Sequence, residues 1–375
     1  MTFHAILQHY YEIKSHALVG KTFYTKPGVR AYPEVHRGVA LFKKVLSQVD
    51  LSGTLVDATG SAGAVALVAP ASVEKRVVLE PSRAALSCAR KTFSDDAGVT
   101  LAAGAPWNMS PASADTVCLI PATDRGNARV QAELLGAYRA LKAGGSFYFV
   151  TSKNEGAKRY EKGAKALFGE LEVLAKQGGW RLAQVRKGHS ETREVELVDF
   201  EAAGLTLSAE PGVYAAGKLD PGTAVLLDTF EFESLAGKRV LDLGCGYGLI
   251  ALKASLAGAT VTALDDDLTA VRSTHRNAKT YGLDVRCLHS DVTSELRSTD
   301  TFDAVIMNPP FHVGKGVRLE LPRAFIAAAH KHLAPGGELV LVANKALAYE
   351  ELLARFAYWE TLQAGDRFKV LRGLK

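Results

Sequence analysis

Cysteine is scarce in this sequence, and what there is does not pair. Cys88, Cys118, Cys245 and Cys287 are the four among 375 residues, and none stands in a C-x-x-C spacing. A disulfide framework or a zinc site needs clustered thiols, so the scatter argues against both and for a reducing cytosol. Long apolar runs are lacking too. Stretches such as Ala62 to Ala71 fall well short of the roughly 20 residues that cross a bilayer. The opening MTFHAILQHYYEIKSH has no basic lead followed by an apolar block, so it does not read as a secretory signal. Charge of one sign is not in strong excess: 45 basic residues face 40 acidic ones, a net +5. That is too mild to establish nucleic-acid binding by itself. No His, Asp and Glu set has metal-ligand spacing. These absences predict a cytoplasmic protein without a membrane segment or a metal.

What is present is ordinary globular material, 47% hydrophobic and 23% charged. The length suggests two domains at roughly 100 to 200 residues each. The sequence also repeats itself. T-L-V-D-A-T-G-S-A-G (54–63) matches R-V-L-D-L-G-C-G-Y-G (239–248) in rhythm. Glu80 stands 23 positions after Asp57, and Asp265 stands 23 positions after Asp242. L-K-A-G-G-S-F-Y-F-V (141–150) then matches L-A-P-G-G-E-L-V-L-V (333–342). The short apolar runs that stop at an acid or a glycine read as buried parallel strands. Between them, Ser82 to Thr92, Leu249 to Leu256 and Asp267 to Tyr281 read as helices. Strand alternating with helix predicts an α/β fold, two tandem Rossmann-like units with doubly wound sheets that arose by gene duplication. The A-G-G and P-G-G phrases read as helix C-caps that turn into a late strand. Residues 193–200 and 205–209 read as a strand pair leading into the second unit. The boundary is placed near residue 200, giving domains 1–200 and 201–375.

The loop after Asp242 carries Gly244, Gly246 and Gly248, and lies where open α/β sheets bind ligands. Asp265, at the end of the second strand, can accept two hydrogen bonds from a ribose diol. This pairing points to an adenosine-type cofactor. The dinucleotide fingerprint G-x-G-x-x-G needs a glycine where Leu249 stands. The G-x-G-x-G form with Asp242 two positions ahead fits S-adenosylmethionine instead, Asp242 facing its amino group. Asp291 would lie beside the adenine or act as a helix N-cap. Cys245 and Asp266, in the same two loops, complete the expected cofactor lining.

The sharpest feature is V-I-M-N-P-P-F-H (305–312). An apolar strand delivers Asn308 to its carboxyl end, and Pro309 and Pro310 hold the turn. An amino nitrogen attached to an aromatic ring has a delocalised lone pair and is a poor nucleophile. The Asn308 side-chain oxygen and the Pro309 carbonyl can accept both of its hydrogens and aim the lone pair at a methyl carbon. Holding two reactants in line can supply about 7 to 11 kcal/mol. Phe311 would stack on the flat base, worth roughly 1 to 3 kcal/mol. His312 and Pro310 would touch the base or its phosphate. No base on the protein is required if the proton leaves after transfer.

These motifs resemble amino-methyltransferases with N-P-P-[YF] loops. More narrowly, the chain resembles the ribosomal small-subunit (16S) rRNA guanine-N2 methyltransferases of the RsmC type. The resemblance rests on P-G-V-Y-A-A-G-K-L-D-P-G-T (211–223), V-L-D-L-G-C-G-Y-G (240–248), N-P-P-F-H-V-G (308–314), 333–349 and R-F-K-V-L-R (367–372). It is nearly complete over 205–375 and weaker before. It implies S-adenosylmethionine as donor and a guanine N2 of 16S rRNA, on the 30S subunit, as acceptor. By that likeness Asn308, Pro309 and Phe311 are catalytic, Asp242, Gly244, Gly246, Asp265 and Asp291 line the cofactor site, and Gly222 and Thr223 cap the cofactor's amino-acid end.

The first unit keeps the spacing without the chemistry. Ala58 and Thr59 stand where Leu243 and Gly244 do, and V-C-L-I-P-A-T-D (117–124) replaces the Asn-Pro-Pro-Phe loop. It reads as a non-catalytic copy that holds RNA or buttresses the active unit. From 151 to 195 there are ten Lys or Arg and six Asp or Glu. Lys158, Arg159 and Lys162, with Lys153, Lys165, Arg186 and Lys187, are the candidate RNA contacts. His330 and His332 read as packing or surface residues, and Trp107, Trp180 and Trp359 as core residues. The competing readings are transfer to adenine N6 or a protein glutamine, a non-catalytic RNA-binding assembly factor, and an NAD-dependent oxidoreductase, which Leu249 disfavours. The pairing of two units suggests a monomer.

Overall fold

A computed structural model describes residues 1–188, 194–310 and 319–375, and the backbone alone of 312–313 and 316–317. The chain divides into two compact units, Glu12–Glu196 and Met1–Tyr11 together with Leu197–Lys375. The first eleven residues therefore part from the division expected at residue 200. The reason is an amphipathic helix, Phe3–Tyr11, which buries Ile6 and Tyr10. Both join the core of the C-terminal unit, among Leu241, Val305 and Phe325. No repeat phrase marks this segment, so nothing in the sequence assigned it.

The sheet of unit 12–196 has strands Thr54–Asp57, Lys75–Glu80, Val99–Ala103, Ala114–Leu119, Leu141–Ser152, Leu171–Gln177 and Trp180–Arg186. Across the sheet they lie in the order third, second, first, fourth, fifth, seventh, sixth. The first five are parallel; the seventh runs against the fifth and the sixth against the seventh. The C-terminal unit repeats that order with Arg239–Leu243, Thr260–Asp265, Val285–His289, Phe302–Met307, Leu333–Asn344, Tyr358–Ala364 and Phe368–Leu374. Its pairing directions are the same. The shared order, reversed after the first strand, is the doubly wound arrangement that the alternating pattern predicts. It opens a crevice between the carboxyl ends of the first and fourth strands.

The central strands are buried on both faces, which is why they read as unbroken apolar runs. Val240, Leu241, Leu243, Val305 and Ile306 are almost wholly removed from water, each worth about 1.5 to 3 kcal/mol. Some helices begin at side-chain caps. Ser82 accepts from the Ala85 N–H ahead of Arg83–Thr92, and Asp267 accepts from the Thr269 N–H ahead of Leu268–Thr280. The A-G-G and P-G-G phrases differ from expectation. The helices Asn127–Ala140 and Glu320–His332 end one residue before strands Leu141–Ser152 and Leu333–Asn344 begin. The glycine pairs then lie in bulges where the register shifts. The strand pair expected before the second unit is a hairpin, Val198–Ala202 with Leu205–Ala209. Buried Asn277 ties it down: its amide oxygen accepts from the Ser208 N–H, and its nitrogen donates to the Ser208 and Tyr247 carbonyls.

Candidate active site

The switch point of the C-terminal sheet brings together loop 244–248, which leaves the first strand, and Asn308, which ends the fourth. Gly246 has φ +56, its N–H donates to Asp265 Oδ2 at 3.0 Å, and the space where a Cβ would project is open. Gly248, at φ +93, is held for packing, because a Cβ there would lie 2.8 Å from Thr274. Gly244 faces the Phe325 ring, 3.1 Å from where its Cβ would be, so the neighbour such a Cβ would crowd is a core ring. The Gly244 and Cys245 N–H groups both donate to the Leu264 carbonyl. Burial pushes the Cys245 thiol well above its ordinary range, which leaves it uncharged and unreactive.

Asp242 is fully buried. Its Oδ2 accepts from the Ala251 N–H at 3.0 Å, while Oδ1 has no partner. Burial, with a smaller contribution from the Asp265 charge, pushes this carboxyl up to about 8. A buried carboxylate oxygen without a donor is costly, and a cationic amino group beside it would supply one. The donor set therefore fits the amino-acid end of S-adenosylmethionine.

Asp265 and Asp266 are half-buried at the end of the second strand. Asp265 Oδ1 accepts from the Asp267 N–H, and the Asp266 carbonyl lies 2.8 Å from His289 Nε2. Asp291 is buried, and its Oδ1 accepts from the Tyr10 hydroxyl at 2.7 Å. The Asp291 carbonyl accepts from Tyr11. Burial first, then the Asp291 charge, drives the Tyr10 hydroxyl well above its usual range, so it stays a donor.

Asn308 is the centre of a polar cluster. Its Nδ2 donates to Asp220 Oδ2 at 2.9 Å and to Thr223 Oγ1 at 3.0 Å. Asp220 caps the helix Pro221–Thr229 by accepting from the Thr223 N–H at 2.8 Å. Its other oxygen accepts from the Tyr214 hydroxyl. Gly222, in the first turn of that helix, lies against the Phe368 ring. Pro309 is buried and Pro310 exposed. A cavity of about 370 Å³ opens here, lined by Tyr214, Lys218, Asp220, Asn308, Arg367 and Phe368 among others. Phe311 lies outside the described residues. His312 is described only as backbone, in a short strand pair with 316–317.

Asp220, Tyr214 and Tyr10 escaped the sequence reading. Asp220 carried one legible sign, since Asp-Pro opening an apolar run marks a helix N-terminus. Its partner, 88 positions away, was not readable.

The first unit performs the same fold steps and closes on itself. Asp57 Oδ2 accepts from the Val65 and Ala66 N–H groups, as Asp242 does from Ala251. The Thr59 hydroxyl fills Asp57 Oδ1 at 2.6 Å, the atom left bare in Asp242. Glu80 Oε1 accepts from the Ala62 N–H at 2.7 Å. Arg30 donates to the Ile120 and Pro121 carbonyls, where the second unit has Asn308 and Pro309, and reaches the Thr59 carbonyl. A guanidinium thus bridges the two loops that flank the crevice. Lys158, Arg159, Lys162 and Lys165 are exposed on the helix Ala157–Phe168. Lys187 is turned inward instead, donating to the Leu141 carbonyl over the Tyr138 ring.

The two histidines pack, and the three tryptophans depart from the expected core placement. His332 is buried with its Nδ1 on the Asp300 carbonyl, and His330 lies between the Phe3 and Phe356 rings. Trp107, Trp180 and Trp359 are half-buried rather than central. Among the described residues no helix is long and apolar enough to cross a membrane.

The model of the methyltransferase small domain matches this chain twice, over residues 20–184 and 204–372. A ribosomal RNA small subunit methyltransferase C of Chromohalobacter salexigens is 39% identical over 185 residues, 48% of this chain and 55% of that protein. The chain thus aligns with about half of that relative's length. One from Hahella chejuensis is 34% identical over 249 residues, 63% of this chain and 71% of the relative. The solved T. thermophilus 16S rRNA N2 methyltransferase (RsmC), in complex with AdoMet and guanosine, superposes with a TM-score of 0.88. It is 33% identical, and the match covers 100% of both chains.

Proposed function

Because the chain belongs to the ribosomal RNA small subunit methyltransferase C family, we propose that it methylates the exocyclic N2 of a guanine in 16S rRNA. S-adenosylmethionine, when bound, supplies an electrophilic methyl group. Asp242 Oδ1 holds the cofactor's ammonium, Gly246 gives it room, and Asp265, Asp266 and Asp291 line its nucleoside end. Gly222 and Thr223 cap its amino-acid end.

The observation that carries this reading is the orientation of Asn308. A carboxylate only accepts hydrogen bonds, so the amide nitrogen faces Asp220 and the oxygen is left to accept from a substrate. That oxygen can take one hydrogen of a planar amine while the Pro309 carbonyl takes the other. The grip localises the lone pair and aims it, which is catalysis by positioning. The proton leaves after transfer, when the nitrogen is cationic and acidic. Tyr214, Phe368, Lys218 and Arg367 around the cavity suit a base with flanking phosphates. Pro310, Phe311 and His312 complete the substrate side.

The guanine must leave its stack to reach Asn308, which favours a 30S subunit as substrate over a free duplex. The protein acts as a monomer in the cytoplasm. Unit 12–196 is the non-catalytic copy, its crevice filled by Thr59 and Arg30, and it offers Lys158, Arg159 and Lys162 to RNA.

The test is labelled methyl transfer to 30S subunits and free 16S rRNA, with the product nucleoside identified by mass spectrometry. Label in N2-methylguanosine is expected. The Asn308→Ala variant should lose about 10²- to 10³-fold in kcat while its cofactor affinity stays within a few-fold. Label in adenine or a protein glutamine, or a fully active Asn308→Ala variant, overturns the reading.

A further inference from the structure

The orientation of the Asn308 amide is useful only if it is held through turnover. The two ends of an asparagine amide are nearly the same size, so a flip about its last torsion costs little sterically. A flipped Asn308 would present two N–H donors to an amine that itself donates, and the grip on the substrate would be lost.

We infer that Asp220 is the positioning residue that locks Asn308 with its oxygen toward the substrate. The inference rests on the proposed role of Asn308. Both hydrogens of Nδ2 are engaged, one by Asp220 Oδ2 at 2.9 Å and one by Thr223 Oγ1 at 3.0 Å. Thr223 Oγ1 can accept because its own hydrogen points to Asp220 Oδ2, 3.3 Å away. A flipped amide would set its oxygen against an ionised carboxylate, two acceptors with no proton between them. Asp220 is itself held rigidly. Its Oδ2 caps the helix through the Thr223 N–H, and its Oδ1 accepts from Tyr214. It is buried at 9% exposure, so water competes weakly. Its negative charge also polarises the Asn308 amide and makes the outward oxygen a stronger acceptor.

Helix capping and amide locking can be separated, because serine and asparagine cap a helix about as well as aspartate. In Asp220→Asn the carboxamide oxygen can replace Oδ2 and keep both the cap and the grip on Asn308. In Asp220→Ser the short hydroxyl can keep the cap but does not reach Asn308. The experiment compares wild type, both variants and Asn308→Ala for kcat, KM for 30S subunits, cofactor affinity and thermal midpoint. The Ser variant should lose about 10- to 100-fold in kcat, by analogy with the loss when a partner that orients a metal ligand is removed. Its midpoint and cofactor affinity should stay near wild type. The Asn variant should recover most of the lost kcat.

A Ser variant within about twofold of wild-type kcat, or Ser and Asn variants equally impaired in kcat, overturns the inference. Should the Ser variant fail to fold, Thr223→Val removes the second acceptor and leaves the cap, and should lower kcat by several-fold. An unchanged kcat there counts against the lock. Exchange of the Asn308 side-chain amide protons, followed by NMR, reads the lock without any substrate. They should be protected in wild type and the Asn variant and exposed in the Ser variant. If wild type transfers no methyl group to guanine, the functional reading falls, and this protection alone still decides whether Asp220 holds the amide.

Discussion

Asp242 and Asp57 occupy the same place in two copies of one sheet and differ in the donors around them. Thr59 satisfies Asp57 Oδ1 from within the chain, while Asp242 Oδ1 has no hydrogen-bond partner among the described residues. Because burial holds the Asp242 carboxyl near 8, the folded protein without ligand keeps a proton that the unfolded chain releases near 4. Stability contributed by that proton is therefore lost as pH rises from about 4 to about 8. A cationic ligand reverses the preference, since it favours the ionised carboxylate. Binding of S-adenosylmethionine should release a proton, and its affinity should rise with pH up to about 8. Calorimetry at pH 6.5 in two buffers of different ionisation enthalpy measures that proton. Its persistence in Asp242→Asn would show that it comes from elsewhere.

At the scale of elements, the N-terminal helix Phe3–Tyr11 brings Tyr10 to Asp291 in the C-terminal unit. No element was read at residues 3–11, and no destination for them. Helical periodicity says which face is apolar and not which apolar surface it meets. Removing the Tyr10 hydroxyl takes one donor from a buried carboxyl group. Tyr10→Phe should cost about 1 to 3 kcal/mol of unfolding free energy, read from urea denaturation. No change would mean that Asp291 does not depend on this bond. The loop elements teach a related lesson. The spacing of Gly244, Gly246 and Gly248 was plain in the sequence, but their separate reasons were not. One faces a core ring, one faces open space and one makes room for Thr274.

For the whole molecule, duplication left two sheets of identical strand order with different occupants at their switch points. The copy over 12–196 spends its crevice on Arg30 and Thr59 and presents exposed lysines and arginines on the helix Ala157–Phe168. If that helix meets RNA, Lys158→Glu, Arg159→Glu and Lys162→Glu together should weaken binding to 16S rRNA. The dependence of log affinity on log salt should flatten by up to about 2 to 3, near 0.7 to 0.9 per lost phosphate contact. A filter-binding series across salt concentrations measures both. An unchanged slope would assign the copy to support alone.

By itself the sequence determined the two α/β units, the glycine loop with its acids and the Asn-Pro-Pro turn. Each of these is written in local spacing: apolar runs that stop at an acid, helices that start at a cap, a turn held by proline. Tertiary structure alone decided that Asp220 grips Asn308, that Arg30 bridges the two loops of the first crevice and that the opening helix joins the C-terminal unit. Those contacts join residues 88, 90 and 281 positions apart. A hydrogen bond across such distances leaves no periodic trace, because it depends on where two loops are carried by the sheet and not on what stands next to them in the chain.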